Sequence, residues 1–267
     1  MLRGLYTSGI GMQAQMNRMD VLSNNLANAD TTGFKRDLTV TRSFTDEVMF
    51  RVNGHTAGPL PHQGLAGRHR PIGLSTSGIF VDEVFTDFSG GRLRAVHDPL
   101  AMAIQGSGFF TVDVTLTTGE VVTRYTRDGN FAMNAAGMLV TREGGMVMGV
   151  DGGPIFMPMG AGDIVFAPNG EIVVGGAVVG QLAIVDFEDL TTLRKVGNNN
   201  FDITDLTVAI PFTGSIIQGY VEDSNINVVR EMIEIINTSR IYEANARFVQ
   251  TMDQTLARAV NDIARRG

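Results

Sequence analysis

A chain of 267 residues, 43% apolar and 18% charged, is long enough for one large domain or two modest ones, with a core that needs no covalent staple. Its net charge of −7, with no run of like charge, excludes nucleic acid as the main partner, and the absence of Cys excludes disulfides, thiolate metal sites and a Cys nucleophile. No stretch of about 20 apolar residues reads as a membrane span, and Met1-Leu2-Arg3-Gly4-Leu5-Tyr6 lacks the apolar core and cleavage site of a secretory signal, so export would need another route.

The first element predicted is a helix. A heptad frame with Leu2, Gly9, Met16 and Ser23 at one position places Leu5, Met12, Met19 and Leu26 at its companion position, a narrow seam of coiled-coil type. Thr31-Thr32-Gly33 supplies the stop, with Gly33 suited to a left-handed C-terminal cap. Asn24, Asn25 and Asn28 crowd the last turns, where Asn competes with the backbone for hydrogen bonds. Taken alone, these amides either fray the helix end or bond a neighbour and fix register. The Met-rich seam (Met12, Met16, Met19) suits either an ordinary core or packing in several slightly different environments.

Residues 34–89 are rich in Gly, Pro, Thr and His and read as an extended linker with a few short strands. From Gly90 onward short strand runs alternate with turn signals. Phe109–Leu116 leads through Thr117-Thr118-Gly119 to Val121–Tyr125, and Asp128-Gly129 precedes Phe131–Asn134. Met138–Thr141 follows Gly137, Asn169-Gly170 separates Ile164–Phe166 from Glu171–Val174, and Gly180-Gln181 opens Leu182–Phe187. This spacing predicts hairpins of an all-β sandwich or barrel. The C-terminal stretch then returns to helix. Val228, Ile235, Tyr242, Val249, Leu256 and Ile263 recur every seven residues, with Asp223, Ser224 or Asn225 available as cap and no Gly or Pro before Gly267. Such a helix spans roughly 60 Å.

The expected fold class is therefore α+β: long N- and C-terminal coiled-coil-like helices (1–33 and 225–267), a linker over 34–89 and an inserted mainly-β outer domain over 90–224. Catalytic signatures are weak. Gly106-Ser107-Gly108 runs on into Phe109-Phe110, with neither a third Gly nor a helix to cradle phosphate, and reads as a turn into a strand. His55, His62, His69 and His97 are scattered through loops without the converging ligands a zinc site needs. Asp186, Glu188 and Asp189 read as a charged strand end, and Asn237-Thr238-Ser239 is a sequon inside a helix. No cofactor, metal, small-molecule substrate or enzymatic activity is expected.

Four blocks in order resemble the flagellar rod, hook and hook-associated axial family. They are Ser8-Gly9-Ile10 with Met19-Asp20-Val21-Leu22-Ser23-Asn24-Asn25-Leu26-Ala27-Asn28-Ala29-Asp30-Thr31-Thr32-Gly33-Phe34-Lys35; Ala103–Phe110 with Tyr125-Thr126-Arg127-Asp128-Gly129-Asn130-Phe131; Gln218-Gly219-Tyr220-Val221-Glu222-Asp223-Ser224-Asn225-Ile226-Asn227-Val228; and Arg240-Ile241-Tyr242-Glu243-Ala244-Asn245-Ala246. The resemblance implies a structural subunit of the basal-body rod, a tubular drive shaft crossing the periplasm. It would pack on copies of itself and on other rod subunits and be exported by the flagellar type III apparatus without a cleaved signal. It also favours a register role for Asn24, Asn25 and Asn28. The chain's length suits a rod protein better than a hook protein, and the modest segment after Gly145 favours the proximal rod type over the distal. Of other classes, a secreted trimeric β-domain adhesin is the alternative, and a lytic enzyme of the cell wall would need a carboxylate pair in a separate domain that this chain has no room for.

Overall fold

The computed structural model describes residues 2–44, 47–52, 69–75, 78–158 and 163–266, with side chains described except at 2–3, 47–52, 69–72, 74–75 and 262–266. Helix α1 spans Leu2–Ala27 and helix α2 spans Val228–Arg266, with every described strand lying between them in sequence. The fold is α+β, a mainly-β region flanked by two terminal helices. Two compact units form from non-contiguous pieces: one from Met1–Ser23, Thr39–Val84 and Met232–Gly267, the other from Asn24–Leu38 and Phe85–Glu231.

In the helical unit α1 and α2 run antiparallel. A Cβ added at Gly4 would lie 3.5 Å from the Phe248 ring, and one at Gly11 3.3 Å from the Asn245 amide. Further along, the Arg18 guanidinium pairs with Glu234 at 2.9 Å. Positions rise along α1, from Gly4 through Gly11 to Arg18, as they fall along α2, from Phe248 through Asn245 to Glu234. The same unit carries strand Glu47–Val52 paired antiparallel with His69–Ser75, while Asp37–Ser43 pairs with Ile79–Thr86. Ile10 of α1 lies against Gly78, and the Phe44 and Phe80 rings stand 4.9 Å apart.

Both helix ends differ from expectation. α1 stops at Ala27, before Gly33: the Asn24 carbonyl accepts both the Asn28 N–H and the Asn28 side-chain amide, and the next N–H, of Ala29, turns to the Leu26 carbonyl in a tighter turn. α2 is capped by Asn227, whose Oδ1 accepts the Arg230 N–H at 3.1 Å, and not by Asp223, Ser224 or Asn225. At 39 residues α2 is about 58 Å long.

The second unit is built on a nine-stranded sheet whose central member is Phe109–Thr115. That strand pairs antiparallel with Val121–Thr126 across the predicted turn, and with Met146–Val147 on its other side. Ile184–Phe187 joins its first residues, pairing Phe110 with Ile184 and Phe109 with Val185. Because successive strand residues face opposite ways, Phe109 and Phe110 enter different cores. Phe110 packs with Met102, Val112, Phe131, Leu139 and Ile172. Phe109 packs with Phe187, Leu193 and Phe201, its ring 5.6 Å from those of Phe187 and Phe201. Burying each such ring contributes about 1.5–3 kcal/mol. The observed strands Phe109–Thr115, Val121–Thr126, Phe131–Met133, Leu139–Thr141, Ile164–Phe166, Glu171–Val174 and Ile184–Phe187 follow the hairpins read from the sequence to within two residues.

Candidate functional site: helix faces and a polar junction

The residues of α1 that are buried are small and polar ones, Gly11, Ala14 and Gln15, followed by Leu22 and Asn25. The predicted seam lies beside them. Leu5, Met12, Met19 and Leu26 are half-buried, Gly9 is half-buried, and Met16 is 51% exposed. On α2 the buried side chains are Glu231 and Thr238, while the predicted Ile235, Val249 and Leu256 are half-buried and Val228 and Tyr242 are exposed. The side chain of Ile263 lies outside the described residues. Outside this row α2 presents Val229 (67% exposed), Met232, Ile233 (53%) and Ile236 (51%) to solvent. Spaced at i, i+3, i+4 and i+7, these four form one continuous apolar stripe. Since Gly4 faces Phe248, Met252, Leu256 and Val260 lie beyond the start of α1.

The second unit holds a buried polar junction made by the quoted sequence blocks. Lys35, 1% exposed, donates from Nζ to Glu222 Oε1 at 2.6 Å and to the Ser89 carbonyl at 2.9 Å. Glu222 Oε1 also accepts the Gly91 N–H, and its Oε2 lies 3.5 Å from Arg127 Nη1. Arg127 in turn donates to the Gly106 carbonyl and stacks its guanidinium 5.2 Å from the Phe109 ring centroid. Burial pulls the Lys35 ammonium below its ordinary pKa, against the pull of Glu222, and burial likewise lowers Arg127. Gly33 has φ +66 and donates its N–H to the Glu222 carbonyl at 2.7 Å; a Cβ there would stand 2.5 Å from the Asp128 nitrogen. Thr32 donates to Asp128 at 2.6 Å, and burial raises the Asp128 pKa although that bond and the Asn130 N–H oppose it.

Asparagine side chains clamp main chain around this junction. Asn25, 1% exposed, accepts the Asp37 N–H and donates to the Asp37 carbonyl, at 2.9 and 2.8 Å. Asn225 accepts the Arg36 N–H and donates to the Asp87 carbonyl, each at 2.8 Å. Asn28 bonds the Asn24 carbonyl and the Thr31 hydroxyl, and the Asn24 side chain is exposed. Lys195 donates to the Lys35 carbonyl and to Asp37, 3.6 Å above the Phe34 ring centroid. The sequence reading assigned no role to Lys35, Arg127 or Glu222, and took Asp128 for a turn residue and Asn225 for a possible helix cap. The available signal was that charged residues stand inside otherwise apolar or Gly-rich motif blocks.

The remaining candidates are accounted for locally. Ser107 donates to Asp186, whose other oxygen accepts the Phe187 N–H, and Asp186 is buried instead of lying at an exposed strand end. His97 is exposed, the side chain of His69 lies outside the described residues, and so do His55 and His62. Among the described residues no three His, Asp or Glu gather as a metal cluster.

Family models place the chain among flagellar rod and hook proteins. One described as flagella basal body rod protein matches residues 5–35, a flagellar hook protein FlgE/F/G D1 domain matches 103–174, and a flagellar basal body rod FlgEFG protein C-terminal model matches 217–262. Over nearly its full length the chain is similar to the flagellar basal-body rod protein FlgG of Buchnera aphidicola from Acyrthosiphon pisum, 32% identical over 96% of this chain and 98% of the relative. It is 31% identical to FlgG of Bacillus subtilis, over 98% and 99%, and 32% identical to the rod protein FlgF of Caulobacter vibrioides, over 97% and 96%. The chain belongs to the flagellar basal-body rod protein family, a structural protein of the basal body that serves flagellar motility.

Proposed function

We propose that this chain is a subunit that self-assembles, with copies of itself and with other rod subunits, into the tubular drive shaft crossing the periplasm. In this reading it carries torque from motor to hook. The terminal helices form an axial core through coiled-coil-like seams, the linker reaches outward, and the β-rich region forms the outer layer. Export runs through the flagellar type III apparatus with no signal cleaved. Relatives named FlgG predominate over FlgF in the comparison, which supports the distal rod position over the proximal one expected from the segment after Gly145. Its role is mechanical, with no reaction to catalyse.

The observation that carries this reading is the stripe Val229, Met232, Ile233 and Ile236 on α2, left open to water in the single chain. An isolated helix cannot gain from such a stripe, whereas packing it against a neighbour removes apolar surface at about 25 cal/mol per Å². Ile236→Asp tests it, because the side chain is exposed and its loss leaves the single subunit's fold alone. Cells carrying Ile236→Asp should lack rods in electron micrographs and be non-motile, while Ile236→Leu keeps both. Normal rods with Ile236→Asp would overturn the assignment of this stripe to assembly.

A further inference from the structure

The polar junction is built from partners that lie far apart along the chain. Hairpins between sequence neighbours supply much of the β-rich unit: Phe109–Thr115 pairs with Val121–Thr126, Phe131–Met133 with Leu139–Thr141, Glu171–Val174 with Ala177–Gln181, and Arg194–Gly197 with Asn200–Asp202. Junction bonds instead join positions 96 apart (Thr32 to Asp128), 158 (Lys195 to Asp37), 167 (Asn199 to Thr32), 187 (Lys35 to Glu222) and 189 (Arg36 to Asn225). Residues 32–36 belong to no strand. Their main chain is held by side chains: Asn199 donates to the Thr32 carbonyl, Lys195 donates to the Lys35 carbonyl, and the Asn225 oxygen accepts the Arg36 N–H, each at 2.8 Å.

That arrangement fixes an order. A hairpin closes a short loop, and longer loops cost progressively more chain entropy before any bond rewards their closure. The side chains that grip residues 32–36 also have no fixed positions until their own strands exist. Lys195 lies on Arg194–Gly197, and Asn199 sits at φ +56 in the turn that joins this strand to Asn200–Asp202. Buried charge adds a second barrier. Lys35, Arg127 and Glu222 are each less than a tenth exposed, so each sheds its water before the pair is closed. On opening, the pair is parted in a site that water has not yet reached. We propose that the junction is a latch, closed after the hairpins have formed, and that parting it limits how fast the β-rich unit opens. Contacts absent from the folding transition state act on the unfolding rate and leave the folding rate alone. The latch belongs to the single chain and needs no assembly. In the rod reading above a loaded subunit gains from it, since forced opening is governed by the unfolding rate.

Stopped-flow tyrosine fluorescence of the full chain in urea reads both rates, with Tyr125 packed against the second core of this unit. Lys35→Met should unfold about 100-fold faster, while its refolding rate stays within about two-fold of the parent. Thr32→Val, which removes only the 2.6 Å bond to Asp128, should unfold about five-fold faster, again with refolding unchanged. It carries the test should Lys35→Met not fold. Val112→Ala, in the buried part of the hairpin strand Phe109–Thr115, should slow refolding by about three-fold or more. Refolding slowed more than about two-fold by Lys35→Met or Thr32→Val would place the junction inside the folding nucleus and overturn the latch. An unfolding rate that neither variant changes would overturn it as well, as would a Val112→Ala chain that refolds at the parent rate.

Discussion

Replacing Lys35 by Met tests whether the polar junction holds the β-rich unit together. The substitution leaves a similar apolar stem but removes the ammonium that lies 2.6 Å from Glu222 and 2.9 Å from the Ser89 carbonyl. Glu222 stays buried, keeping the Gly91 N–H and an Arg127 contact of 3.5 Å, so its charge is poorly compensated. Breaking one side of a buried pair costs about 3–5 kcal/mol, and the remaining Arg127 places the expected loss toward the lower end. For a unit of this size the thermal midpoint should fall by roughly 6–20 °C. Urea unfolding of the β-rich unit, followed by near-ultraviolet circular dichroism of its Phe and Tyr side chains, reads the loss as a lower midpoint at unchanged slope. Adding Glu222→Gln to Lys35→Met should cost less than the two single losses together, with a coupling of about 0.5–3 kcal/mol. A loss under about 1 kcal/mol for Lys35→Met, or strict additivity in the cycle, would refute the role given to this pair.

Gly33→Ala should destabilise the same unit by more than the roughly 1–2 kcal/mol of a left-handed backbone alone, because its Cβ would stand 2.5 Å from the Asp128 nitrogen; equal urea midpoints for the two proteins would contradict this. Asp128, with its pKa raised in the fold above the ordinary 3.8, contributes stability that is complete below 3.8 and is lost as pH rises through the raised value. Asp128→Asn should therefore flatten the decline of stability with pH above 3.8, measured by urea midpoints across that range, and an unchanged slope would assign the decline to other groups.

Much of the fold was legible because its determinants are local. Turn residues such as Thr117-Thr118-Gly119 and Asn169-Gly170 sit within a few positions of the strands they connect, and the strands appear where those signals place them. The terminal helices were equally legible from their seven-residue recurrences. Helix ends were misread where a residue suited to a local task is held by a distant partner. Asn225 could cap α2, yet it bonds Arg36 and Asp87, and Asp223 pairs with Arg94, so the cap falls to Asn227. Gly33 could end α1, yet its left-handed backbone serves the close approach of Asp128.

The candidate site was less legible for the same reason carried further. Lys35 and Glu222 are 187 positions apart, and no periodicity announces that a Lys in one block and a Glu in another will share a buried bond. The seams show a subtler gap. A heptad frame is chosen by its large apolar residues, so it selects Leu5, Met12 and Met19 on α1 and passes over Gly11 and Ala14. Packing within one chain selects differently, since small residues let two backbones approach, and it is Gly11 and Ala14 that are buried. The periodicity identified residues that need apolar cover without saying which chain supplies it. Large side chains half-covered within the subunit lie on the same helices as the stripe of Val229, Ile233 and Ile236, each more than half exposed, and together they leave apolar surface that the single chain does not cover. In the assembly proposed above the supplier is another subunit, and on that proposal the incomplete burial of these helices follows from assembly and not from a defect of folding.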